Sequence, residues 1–193
     1  MRVKAWTQGR DVTLILVTAP AKDKGIVFLR RGREVWNWIP AIERNIKLPP
    51  SMMGQSWMGT DFTNDDLVKE ASIVDDYEHR LEGEDSVGGR RCHRIRLTPK
   101  PEASVVWGRL VMWVDQRDLL MLRTEYYDEA GGLANTLLAS DVRMLGGRLL
   151  PGRVEMVPAD KKGHRTVMTY QDLVFDPPLP PWFFTTQQMS RVQ

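Results

Sequence analysis

A single cysteine, Cys92, stands in a chain of 193 residues, so no internal disulfide staples the fold. Three histidines beside that thiol are too few and too scattered for a structural zinc site, and nothing in the residues calls for a metal or another cofactor. Charge of one sign is also missing: 27 Lys and Arg against 25 Asp and Glu leave +2, too little to draw the whole molecule to nucleic acid or an anionic membrane. No apolar run approaches the roughly 18 residues of a membrane-spanning helix. Met1 is followed by Arg2, Val3, Lys4, Ala5 and Trp6 rather than by a charged stretch and a long apolar one, so no signal peptide is expected within this chain. Nucleophile elbows, zinc-protease helices and phosphate-cradling glycine loops are absent as motifs.

What is present is a chain of strand-like runs. With 42% hydrophobic and 27% charged residues it forms an ordinary globule, expected to be one domain over 1–193 that buries roughly 70% of its unfolded surface. Val12 to Thr18, Ile26 to Arg30, Val35 to Ile39, Val105 to Val114, Leu119 to Tyr127, Leu133 to Met144 and Arg165 to Phe175 are short and rich in β-branched, aromatic and Leu residues. Gly88-Gly89, Gly131-Gly132 and Gly146-Gly147 supply the positive φ angles of tight hairpins between them. The pattern predicts an antiparallel meander of about ten or eleven strands. Several runs are apolar on both faces: Val105, Trp107, Val111 and Trp113 on one side of their strand, Val106, Leu110, Met112 and Val114 on the other. Such a sheet must curl on itself, pack on helices or hold a ligand.

Helical material is expected only in the middle. Thr63 and Asp66 have the spacing of a capping box, Phe62 and Leu67 that of a hydrophobic staple, and Asp65, Asp66 and Lys69 suit the dipole of a helix from about Asn64 to Ala71. Before it, the segment 48–62 holds Met52, Met53, Trp57, Met58 and Phe62 among prolines and glycines, too apolar for a solvated loop and too broken for a strand. It reads as a flap over a cavity, or as a loop plugging one end of the sheet. Pro177, Pro178, Pro180 and Pro181 make an extended strut, followed by a last strand or short helix from Trp182 to Val192 that is expected to dock on the body.

Few groups invite chemistry. Cys92 and His93 are adjacent, but on a strand they point to opposite faces and share no proton. The clusters Asp75, Asp76, Glu78 and Glu82, Glu84, Asp85 are read as solvated strand ends, so no catalytic residue is assigned. Arg30, Arg31 and Arg33 form one basic group. Arg90, Arg94 and Arg96 form a second, on one strand face that is either a modest phosphate-binding patch or an ordinary solvated surface.

The order of these parts resembles that of the outer-membrane lipoprotein-sorting protein family, a branch of the LolA superfamily. The resemblance is carried by Trp36-Asn37-Trp38-Ile39-Pro40, Glu43 to Lys47, the apolar flap, Met58 to Leu67, Met112-Trp113-Val114-Asp115 and Glu125 to Leu133. It implies a mainly β (α+β) fold, an incomplete antiparallel β-barrel with a short helical lid on its concave face. It also implies a periplasmic, non-enzymatic carrier of lipid or lipoprotein acyl chains, an inner-membrane transporter and an outer-membrane acceptor as partners, and no nucleic acid. A sensor or protein-interaction module of the same fold in envelope regulation is the alternative. The family carries a leader and an N-terminal helix before the first strand, whereas this chain opens within what should be strand one. The arginine with which the superfamily's carrier holds its lid has no matching position here. Trp36, Trp38, Met52, Met53, Trp57, Met58, Phe62, Trp107 and Trp113 are the expected lining of the cavity, which the flap at 48–62 would gate.

Overall fold

The computed structural model describes residues 1–32, 34–68, 72–103 and 105–192. Tight turns join successive strands, so neighbours in the sequence become neighbours in a sheet. The first sheet takes β1 (Arg2–Gln8), β2 (Val12–Ala19), β3 (Val27–Arg31), β4 (Glu34–Ile39) and β5 (Arg44–Lys47) in that order. The second takes β6 (Tyr77–Val87), β7 (Arg90–Pro99), β8 (Arg109–Asp115), β9 (Met121–Tyr127), β10 (Leu133–Leu145), β11 (Arg148–Pro158) and β12 (Thr166–Thr169). Both are antiparallel throughout and neither closes into a barrel, giving the open β fold expected, with twelve strands among the described residues rather than ten or eleven. Among the described residues the α-helices are short: α1 (Asn64–Val68), α2 (Ser72–Asp75) and α3 (Thr186–Met189).

Helix α1 begins where the Thr63 signal places it, with Asp65 and Asp66 in its first turn. Leu67 lies within α1, and the expected Lys69 at the helix end, like Arg33 of the first basic group, lies outside the described residues.

The chain resolves into two compact units, each assembled from separated segments. One unit is Met1–Gln55, Asn64–Ala71 and Pro178–Gln193, and the other is Ser56–Thr63 and Ser72–Pro177. In the first, register places Leu14 opposite Leu29 and Leu16 opposite Val27, with Trp36 and Trp38 next on β4. The C-terminal segment lies on that face, where Phe184 and Met189 are buried with these leucines and Leu179, Phe183 and Val192 pack around them. The rings of Trp6 and Phe183 meet edge-on at 5.3 Å. The expected docking of the segment after the prolines is thus observed, as a short helical end rather than a strand. On the opposite face Ile15, Val17, Phe28 and Val35 are buried beside Arg30, which donates to Arg10 O at 2.8 Å and Gly32 O at 2.9 Å.

The second unit is the seven-stranded sheet, closed at its β10–β11 turn by Gly146. At φ +56° a side chain there would be strained, and a Cβ would sit 2.4 Å from Leu173 O. Two expected runs are shorter than the composition promised. Val105, Val106 and Trp107 precede β8, whose pairing with β9 begins with Arg109 opposite Tyr127. Of Arg165 to Phe175 only Thr166–Thr169 pairs with β11.

Candidate functional site

The apolar segment 48–62 is ordered by its backbone. Pro50–Met52 forms a single helical turn, after which Met53 is buried. The leading amides of a helix lack intrahelical partners, and here Asn64 N–H donates to Gln55 O at 2.9 Å and Asp65 N–H to Met53 O at 3.0 Å. The Asn64 side-chain amide adds a bond to Met52 O at 2.9 Å. Residues 56–63 then fold into a small closed loop: Trp57 N–H donates to Phe62 O at 2.8 Å, and the tip turns through positive φ at Met58 and Gly59. This loop is fastened to β12, since Asp61 N–H donates to Thr166 Oγ1 at 2.9 Å and the Thr166 hydroxyl donates to Asp61 Oδ2 at 2.7 Å. Trp57 and Phe62 are buried, while Met52 and Met58 are half-buried. Residues 48–55 belong to the first unit and 56–62 to the second.

The remaining aromatic candidates fall into separate environments. Trp36 and Trp38 share the face covered by Phe184 and Met189. Trp36 also borders an open groove of about 540 Å³ with Val12, Arg31, Gly32, Glu34 and Thr186. There the Lys47 ammonium lies 5.7 Å from the Trp36 ring centre and pairs with Glu34. In the second unit, Trp107 meets Tyr126 at 5.3 Å between ring centres. Trp113 lies on the opposite face, its indole N–H donating to Asp85 Oδ2 at 2.9 Å, with the Arg94 and Arg123 guanidinium groups 5.6 and 4.7 Å from its ring.

Strand register reveals an apolar wall on the second sheet that the aromatic residues did not announce. Leu97, Leu110 and Tyr126 form one cross-strand row. Ile95, Met112, Thr124, Leu137 and Met156 form the next, and His93, Val114 and Met121 begin a third, which Ala139 and Val154 continue on β10 and β11. Burial grades across this wall: Leu97, Leu110, Tyr126, Leu137 and Met156 are buried, whereas Ile95, Met112, Val114, Ala139 and Val154 are half-exposed. At its centre Thr124 is fully buried and its hydroxyl finds no partner among the described residues. The signal for this wall lay in β8, whose two faces are both apolar, but aliphatic alternation there does not distinguish one face from the other.

The other face of the same sheet is polar above a thin apolar layer of Cys92, Val111, Trp113, Leu120 and Leu122. Desolvation raises the pKa of the buried Cys92 thiol. Cys92 and His93 pair with Asp115 and Val114 respectively, so they point to opposite faces as expected. The indole N–H of Trp113, followed by the Ser86 amide, lowers the pKa of Asp85. Arg90 stands apart from Arg94 and Arg96, which share Glu82, because it pairs with Asp115 at 3.1 Å and Asp118 at 2.7 Å. Among the described residues no group of three or more His, Cys, Asp or Glu side chains is arranged to hold a metal ion.

A protein-family model described as "Uncharacterized protein" matches residues 9–191. No curated protein matches the chain. Three solved structures share its fold over nearly its whole length. A DUF1329 family protein from Desulfovibrio piger is 26% identical with a TM-score of 0.85, the match covering 97% of this chain and 81% of that one. A putative outer membrane lipoprotein-sorting protein domain from Vibrio parahaemolyticus is 21% identical with a TM-score of 0.86, over 99% and 83% of the two chains. A LolA superfamily protein from Nitrosomonas europaea is 25% identical with a TM-score of 0.79, over 96% and 81%.

Proposed function

We propose that this chain, which belongs to the family matched over residues 9–191 and has the LolA-superfamily fold, is a periplasmic, non-enzymatic carrier that shelters acyl chains of a lipid or lipoprotein. The observation that carries the reading is the graded apolar wall of the second sheet. Ile95, Met112, Val114, Ala139 and Val154 keep partial exposure on the face whose neighbouring row is sealed. An acyl chain laid along such a row gains about 0.8 kcal/mol per buried methylene, on the order of 10 kcal/mol gross for a long chain. No oriented polar group is required for that gain.

The aromatic and methionine residues divide between two roles. Met52, Met53, Trp57, Met58 and Phe62 belong to the gate, whose unbranched side chains repack around irregular apolar shapes. Trp107, against Tyr126, extends the wall. Trp36, Trp38 and Trp113 already have partners in their own chain and act through packing. An inner-membrane transporter would load the carrier and an outer-membrane acceptor would unload it.

Native mass spectrometry of protein recovered from cells tests the reading. The carrier releases a lipid or acylated species, and Met112→Glu with Val154→Glu abolishes co-purification while the fold, followed by circular dichroism, persists. Protein that emerges empty and bound to another protein overturns the carrier in favour of a sensor.

A further inference from the structure

The geometry points to a membrane-docking surface on the polar face of the second sheet, fitted to the anionic headgroups of a phospholipid bilayer. Register lays this face out in rows. Arg94, Trp113, Arg123, Leu138, Glu155 and Val167 follow one another across β7 to β12. Arg96, Val111 and Glu125 form the adjacent row. Glu82 sits between Arg94, at 3.5 Å, and Arg96. Glu125 pairs with Arg123 and accepts the Tyr127 hydroxyl at 2.7 Å. Glu155 pairs with Arg153 at 2.7 Å and lies 3.7 Å from Arg165. The Arg109 guanidinium stacks 3.9 Å from the Tyr127 ring centre.

Two features make this more than a balanced set of ion pairs. The carboxylates are sunk and the guanidinium groups are not: Glu82, Glu125 and Glu155 are 18, 11 and 20% exposed, against 37 to 61% for Arg94, Arg96, Arg123, Arg153 and Arg165. Six arginines against three glutamates leave three positive charges in the arginine rows, which Asp85, engaged by Trp113, and Arg90 with its two partners Asp115 and Asp118 at the Cys92 end of the face reduce to one. Stacking on Trp113 and Tyr127 also holds Arg94, Arg123 and Arg109 in place, so little side-chain entropy is lost when they meet phosphates.

The breadth of the patch selects the occupant. From β7 to β12 is five strand spacings, roughly 24 Å, over which the cations are spread on neighbouring strands. Between them Leu138 and Val167 are exposed at 37 and 39%. Phosphates at one level with an apolar layer beneath match that mixture of arginine and aliphatic side chains. The inference goes beyond the carrier reading and stands without it, since it concerns the face opposite the apolar wall.

Co-sedimentation of the full chain with vesicles tests it, using phosphatidylcholine alone and phosphatidylcholine mixed with phosphatidylglycerol. Binding to the mixed vesicles only, lost at high salt, is the expected result. Each surface arginine contributes roughly fivefold in partitioning, so Arg94→Gln with Arg165→Gln weakens binding by about twentyfold or more. Lys4→Gln with Lys22→Gln, the same change of net charge on the first unit, leaves binding nearly intact. Equal loss in both double variants, equal binding to both vesicles, or no binding at all overturns the docking surface. None of these results bears on whether acyl chains co-purify.

Discussion

Cys92 shows how little a residue type says before its surroundings are known. A thiol beside a histidine has the composition of a nucleophile and base, yet strand geometry separates the two and the thiol is completely buried. Burial raises its pKa, so thiolate is scarce at neutral pH, and the folded protein should resist alkylation by iodoacetamide while denatured protein is modified rapidly. Modification of native protein at the denatured rate would contradict this. Asp85 offers a second test at this scale. Its pKa lies below the ordinary aspartate range because the Trp113 indole, then the Ser86 amide, donates to the ionised form. A lowered folded-state pKa contributes stability above the unfolded value of about 3.9 and loses it as pH falls through the folded value. Thermal melts of Asp85→Ala should therefore fall below those of the parent at pH 7, with the gap narrowing under acid conditions. A gap that persists unchanged at pH 2 to 3 would rule the carboxylate out as its source.

At the level of elements, strands written as continuous apolar runs were readable, and strands whose apolar residues are spaced among charges, such as β7 and β11, were not. β2, β3, β4, β9 and β10 follow apolar runs, whereas β1 and β5 are exposed at nearly every position and β6 at most, so composition gives them no periodicity to detect. β8 misled in another way. Its two buried faces implied a ligand or cover on each side, but one face is shielded partly by arginine stems stacked on Trp113, a use of charged residues that a hydrophobic pattern cannot display. The Met-rich segment was legible as apolar and irregular, while its fastenings were not, because they join Asp61 to Thr166 across more than a hundred residues. That fastening is the segment's testable part. Thr166→Val removes two hydrogen bonds, about 1 to 2 kcal/mol together. Amide exchange of residues 57–62 should then quicken by about tenfold, with β8 and β9 unchanged. Unchanged exchange in the loop would mean that other bonds hold it closed.

Across the whole molecule, the two compact units cannot be separated by a single cut, since the first is built from three stretches of chain and the second from two. The expectation of one domain rested on length and composition, which carry no information about such interleaving, and one passage between the units falls within the proline strut, at 177–178. The C-terminal stretch is the most exposed to test. It follows the proline strut and contributes Phe184 and Met189 to the core of the first sheet, at 3 and 1% exposure. Burying two such side chains contributes about 3 to 6 kcal/mol, comparable with the 5 to 15 kcal/mol total stability of an ordinary domain. A chain ending at Pro177 should lose amide protection across β2 and β3 and bind a hydrophobic dye, because Leu14, Leu16, Val27 and Leu29 lose their cover. Adding residues 178–193 as a separate peptide should restore protection in a saturable manner. A truncated chain that melts at the parent temperature would show instead that the five-stranded sheet holds its core without this segment.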